Sequence, residues 1–124
     1  MYTPVHKNTV TYEDKLTHWK NYMSYDKTQT VEYLEIGSLH GGSVLHFHNM
    51  FGDNVHSTCI DPYSSCDNYQ EYQNEHETNY EIYKQNTEQL GTKNIHHRQA
   101  SFDVLPTLQN DFYDVVYIDG NHNL

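Results

Sequence analysis

Apolar positions along the 124-residue chain change period several times, and each change marks an element. Tyr12, Leu16, Trp19 and Met23 recur at helical spacing, which puts them on one face of a helix. Thr11 with Asp14 resembles a capping box at its start. Residues 1–10 contain Pro4 and show no period, so residues 1–30 read as an extended lead-in followed by a helix that packs its stripe on a sheet. Val31 to Ile36, an apolar run interrupted only by acids, is the first strand. Val44, Phe47 and Phe51 then mark the buried face of a helix from Gly42 to Phe51, stopped by Gly52. Val55 to Ile60 alternates and is partly β-branched, which predicts a second strand. From Asp67 to Leu90 the chain is polar. Even so, Tyr69, Tyr72, His76, Tyr80, Tyr83, Thr87 and Leu90 keep the 3–4 spacing of a surface helix whose tyrosine stripe faces the core, with Gly91 as its end. Asn94 to Ala100 reads as a short third strand, and Ser101 to Leu108 as a short helix with Pro106 in its first turn. Asp114 to Ile118 is the fourth strand and the most apolar.

Strands that alternate with helices predict an α/β fold: a Rossmann-like parallel sheet with right-handed crossovers and helices on both faces. Ligands of such sheets bind beyond the C-terminal strand ends. Those ends carry Gly37 to Ser43, Asp61, Ser101 and Asp119, so the chemistry-bearing residues gather on one edge.

Composition narrows the options. The length suits a single domain, residues 1–124. Twelve Tyr and four Phe add buriable area that a hydrophobic content of 35% understates. A formal charge of −10, with no basic run to offset it, argues against a nucleic-acid partner. No leader and no apolar stretch of about 18 residues is present, which predicts a soluble, cytoplasmic protein without a membrane partner. Cys59 falls in a strand and Cys66 in a polar turn, so both are expected as free thiols. His46 and His48 stand two apart on a helix, point different ways and cannot share a metal.

The stretch Glu35-Ile36-Gly37-Ser38-Leu39-His40-Gly41-Gly42-Ser43 carries the most chemistry. Its glycines admit left-handed backbone and close approach of a ligand, and the helix beyond offers unpaired N–H groups. Asp61 lies 24 residues past Gly37, at the end of the next strand, where a carboxylate can accept both hydroxyls of a ribose. A dinucleotide turn wants G-x-G-x-x-G against a pyrophosphate. Here the glycines are spaced differently and Glu35 stands two residues ahead of the first, which repels a pyrophosphate and suits an ammonium or sulfonium ligand.

With those residues the chain resembles a class I S-adenosylmethionine-dependent methyltransferase. Leu34-Glu35-Ile36-Gly37 through Gly41-Gly42-Ser43 resembles the family's first motif, and Ile60-Asp61-Pro62-Tyr63 its second. Phe112 to His122, with Ile118-Asp119-Gly120-Asn121-His122, resembles the fourth-strand motif of a subgroup of small-molecule O-methyltransferases. The resemblance implies strand order 3-2-1-4 and S-adenosylmethionine as cofactor. It implies that Glu35, Gly37 and Ser38 line the methionine part, that Gly41 allows close approach, and that Ser43 starts the helix. Asp61 would bind the ribose, Pro62 or Tyr63 would border the adenine, and Ser101 and Phe102 would sit by its edge. Asp119 would lie near the transferred methyl, as an orienter of a small-molecule acceptor or as ligand of a divalent metal such as Mg, with His122 as candidate general base.

A full domain of that family continues beyond the fourth strand. The expectation is therefore the N-terminal, cofactor-binding half of a domain, truncated or completed by another chain. The edge of the fourth strand, with Val115, Val116 and Ile118, would then be open to a completing chain or a second copy. A non-catalytic scaffold or dimerisation module using that edge is the alternative function. A nicotinamide-dependent oxidoreductase is disfavoured by the glycine spacing and Glu35, and metal binding through the ten histidines has little support beyond Asp119 with His122.

Overall fold

The computed structural model describes residues 1–7, 9, 18–19, 28–64 and 75–119. Tyr12, Leu16, Met23, the Thr11–Asp14 capping box, Cys66, Tyr69, Tyr72 and Gly120 to His122 lie outside the described residues.

Strands β1 (Val31–Ile36), β2 (Val55–Ile60), β3 (Asn94–His97) and β4 (Val115–Ile118) form one sheet in the order β3-β2-β1-β4. Each neighbouring pair runs parallel, with Val31 opposite Val55, Ser57 opposite Asn94 and Tyr33 opposite Val115. Between the strands lie α1 (Gly42–Phe51), α2 (His76–Thr87) and α3 (Ser101–Val104). The expected order 3-2-1-4 is the observed one.

The pleat sends alternate β1 side chains to opposite faces. Tyr33 joins the larger core with Val44, Phe47 and Phe51 of α1, Val55 and Cys59 of β2, and Tyr83 of α2. Tyr33 stacks on Phe47 with ring centroids 3.9 Å apart. Trp19 packs on the same face, against Phe47 and Tyr117, so the one described member of the N-terminal stripe does lie on the sheet. Leu34 points the other way, into a small cluster with Ile60 and Val104. Helices thus cover both faces, but unequally, since α3 is a single turn. Cys59 is buried and free, as its place in a strand implies.

Three boundaries and the exposure of one strand differ from the pattern reading. The polar helix ends at Thr87 and passes into a 3-10 segment, Glu88–Lys93, kinked at Gly91, where φ is +57°. The third strand stops at His97, not Ala100: the Asp61 amide takes the His97 carbonyl, and Tyr63, the next residue of that strand to face β3, turns into left-handed backbone and gives its amide to the Asp61 carboxylate instead of the ladder. Pro106 opens a separate 3-10 turn, Leu105–Thr107, instead of the first turn of the helix, since it cannot donate back to Phe102. On β4, Val116 and Ile118 are exposed, whereas Val115 packs against the larger core and is not part of an open face.

Candidate functional site

At the C-terminal edge of the sheet, Gly37 donates to the Ile60 carbonyl and Asp119 to the Ile36 carbonyl. Asp61 and Asp119 therefore flank Gly37 on the two neighbouring strands, and the glycine turn lies between them.

Glu35 sits at the base of this turn and is fully buried. Its Oε1 accepts the Tyr33 hydroxyl at 2.6 Å and the Ser43 hydroxyl at 2.5 Å. Oε2 makes no well-formed hydrogen bond, and neither does the buried Ser38 hydroxyl, which lies close enough to Glu35 and Cys59 to favour their charged forms slightly. Burial pushes the Glu35 pKa up from 4.5 to about 7, against the pull of the Ser43 and Tyr33 hydroxyls, and the Asp119 charge adds to the rise. A rise of that size corresponds to about 3 kcal/mol by which desolvation outweighs the hydrogen bonds to the charged form.

Asp61 organises the turn from the other side. Its Oδ2 accepts the amides of Ser38 and Leu39, both at 3.1 Å, and its Oδ1 accepts the Tyr63 amide at 3.0 Å. Burial raises its pKa, with these three N–H groups opposing. The carboxylate keeps lone pairs to spare, because two oxygens offer about four acceptor sites and three are used.

The turn is held in left-handed backbone: φ is +91° at Gly37, +48° at Leu39 and +80° at Gly41. Gly41 has a packing reason for its missing side chain. A Cβ there would stand 2.9 Å from Thr87 Cγ2 and 3.4 Å from Tyr83 Cδ2, so its close approach in the structure is to α2. Ser43 is buried as the second residue of α1, and its hydroxyl is spent on Glu35.

Tyr63 is turned inward. Its ring is buried among Tyr80, Tyr83 and His96, and its hydroxyl donates to the Leu39 carbonyl at 2.6 Å. Only its backbone is therefore presented at the edge, next to the half-buried Pro62. Ser101, half-buried, and Phe102, 76% exposed, open α3 past the end of β3. Asp119 is exposed, and His122 lies outside the described residues. Among the described residues no three His, Cys, Asp or Glu side chains converge on a point that could hold a metal ion. Asp119 belongs to no such group among the described residues.

Three residues of the site escaped the pattern reading. Tyr33 shares a face with Glu35 by strand alternation, a signal that was present in the spacing. Arg98, directly after β3, pairs with Glu77, lies 4.3 Å over the Tyr80 ring and donates to the Pro62 carbonyl; nothing in the spacing marks it. Asn86 reaches the turn from a helix face that reads as polar surface, by way of the His40 carbonyl.

A family model described as a methyltransferase domain matches residues 34–124. The matched span runs from β1 through the glycine turn to the end of the chain. No curated protein and no solved structure matches. Among the described residues no helix is long and apolar enough to cross a membrane.

Proposed function

This chain belongs to the methyltransferase-domain family, and from that premise we propose that it binds S-adenosylmethionine at the glycine turn and transfers the methyl group to a hydroxyl of a small molecule. The observation that carries the reading is Glu35: a fully buried carboxylate with one unpaired oxygen, under a left-handed turn and beside the unpaired Ser38 hydroxyl. Glu35, Asp61 and Asp119 together give this edge an acidic field. Each contact between such a group and an opposite charge is worth on the order of a few kcal/mol in a partly buried site, and each contact with a phosphate costs as much. A sulfonium and an ammonium group therefore suit the edge, and a pyrophosphate does not. The orphaned atoms and the acid set fit this cofactor.

In this reading Glu35, Gly37 and Ser38 hold the methionine end, while Gly41 and Ser43 shape the turn and the helix start. Asp61 accepts the ribose hydroxyls on its remaining lone pairs. The backbone of Pro62 and Tyr63, with Ser101 and Phe102, borders the adenine. When bound, S-adenosylmethionine supplies a methyl group that is already activated, so the chain's contribution is alignment and proton removal. Asp119 orients the acceptor oxygen, and His122 takes its proton.

Thermal unfolding in the presence of candidate ligands tests the cofactor class. S-adenosylmethionine and its demethylated product should raise the midpoint, and NAD should not. A rise with NAD alone would refute the reading.

A second reading is favoured by one observation. Val116 and Ile118 on the β4 edge are 51% and 60% exposed. From Gln99 to Asp119 the chain carries Asp103, Asp111, Asp114 and Asp119 and no Lys, Arg or His. An apolar edge with an acidic rim fits a partner segment that is apolar and basic, added as a neighbouring strand. A second copy of this chain would bring like charge to like.

A further inference from the structure

The N-terminal segment is held to the domain by side-chain amides. Asn49 of α1 exchanges two hydrogen bonds with the backbone of Tyr2, accepting from its N–H and donating to its carbonyl, both at 2.7 Å. Gln89 does the same with Thr3, at 3.2 and 2.8 Å. Asn86 of α2, fully buried, grips the next stretch: its Oδ1 accepts the amides of Val5 at 2.7 Å and His6 at 3.0 Å. Its Nδ2 donates to the Thr9 hydroxyl at 2.7 Å and to the His40 carbonyl at 2.9 Å. His40 is the residue between Leu39 and Gly41, both left-handed, in the middle of the glycine turn. Asn79, seven residues earlier on α2, holds the His40 ring through Nε2 at 2.8 Å.

Asn86 therefore joins two segments far apart in sequence, and the join has a direction. Two N–H donors from Val5 and His6 demand the oxygen end of the amide. That leaves the nitrogen end for the Thr9 hydroxyl and the His40 carbonyl, and a flipped amide would set donor against donor on one side and oxygen against oxygen on the other. Loss of the Asn86 N–H takes a donor from the buried His40 carbonyl, which weakens the hold of α2 on the turn and favours its opening.

We propose that Asn86 is a positioning residue for the glycine turn, its amide oriented by the Val5 and His6 amides and the Thr9 hydroxyl, so that seating of those three residues and the shape of the cofactor turn are one linked equilibrium. The proposal rests on the reading of that turn as the cofactor site. Its effect on the turn itself can be measured without any cofactor.

The experiment is amide hydrogen exchange on the full chain, resolved for residues 38–43, for the strand amides 33–36 and 57–60, and for residues 2–9, with binding of the demethylated cofactor product measured alongside. Asn86→Asp keeps both acceptor contacts to Val5 and His6 and loses the bonds donated to the Thr9 hydroxyl and, at the turn, to the His40 carbonyl. It should speed exchange in residues 38–43 by about three- to tenfold, the effect of one lost hydrogen bond, and weaken binding by a similar factor while the strand amides keep their protection. Asn49→Ala, which releases Tyr2 without touching the turn, should leave residues 38–43 unchanged. If Asn86→Asp does not fold, Val5→Pro removes one of the two donors from an exposed position, 67% exposed, and should produce a smaller rise confined to residues 2–9 and 38–43. Faster exchange everywhere, or an unchanged turn in either Asn86→Asp or Val5→Pro, overturns the proposal. Faster exchange of the turn in a chain that binds no cofactor upholds the positioning and refutes the cofactor reading alone.

Discussion

Glu35 carries the most consequential energetics of any single residue here. Its carboxyl titrates at about 7 in the folded chain, against 4.5 ordinarily. An acid raised by folding contributes its full stabilisation below the unfolded value and loses it as pH rises through the folded value. His48 and His96 act in the opposite sense. Burial lowers each from 6.5 to about 4, so their contribution is present above the unfolded value and fades as pH falls toward 4. Glu35→Gln removes the first dependence only. By urea unfolding, the variant should be more stable than the wild type at about pH 8, by about 1–3 kcal/mol, and should lose the decline between about pH 5 and 7. A variant less stable at about pH 8 would mean that the charged Glu35 is well accommodated and stores no tension for a ligand to relieve. The Glu35 side chain was legible as an acid ahead of a glycine. Its bonds to Tyr33 and Ser43 were legible only in part, because alternation relates Tyr33 to Glu35 but nothing local relates Ser43.

At the scale of elements, legibility tracks how sharply a segment is punctuated. Strand β1, helix α1 and strand β2 fall where the periodic residues put them, since glycine turns bound α1 at both ends and Val55 to Ile60 alternates in between. Later boundaries were harder to read for a physical reason. β3 ends where Tyr63 on the neighbouring strand turns its amide back to Asp61, and α3 yields to a 3-10 turn where Pro106 lacks a donor, and neither event is visible in the hydrophobic period. Asn86 was hidden in the same way. A polar residue on a polar helix reads as solvent-facing until the N-terminal segment is laid across it. The glycine turn shows the converse: Gly41 was read as room for a ligand, and its lost Cβ also makes room for Thr87. Gly41→Ala combines a left-handed backbone with that contact and should destabilise the fold by about 1–3 kcal/mol, measured as a lower denaturation midpoint. A neutral outcome would show that α2 shifts freely away from the turn.

At the scale of the whole molecule, a four-stranded parallel sheet is covered, among the described residues, by α1 and α2 on one face and by little more than α3 on the other. The exposed Val116 and Ile118 follow from that asymmetry. With an acidic rim around them, self-association should be weak at low salt and grow as salt screens the repulsion. Light scattering across a salt series, repeated with Ile118→Lys, checks this. Salt-promoted association that the lysine abolishes is the expected outcome, and tight dimers at low salt would contradict the electrostatic argument.

The central claim is that the acidic C-terminal edge, arranged around Glu35 and Asp61, receives a cationic nucleoside cofactor. Titration calorimetry of the folded chain with S-adenosylmethionine tests it most directly, run at about pH 6 and pH 8 and repeated with Asp61→Ala. Saturable one-to-one binding is expected, tighter at the higher pH, where Glu35 is charged, and weaker by about 1–3 kcal/mol in the variant. Absence of binding by the folded chain up to about 100 μM, or equal binding by wild type and Asp61→Ala at both pH values, would contradict it.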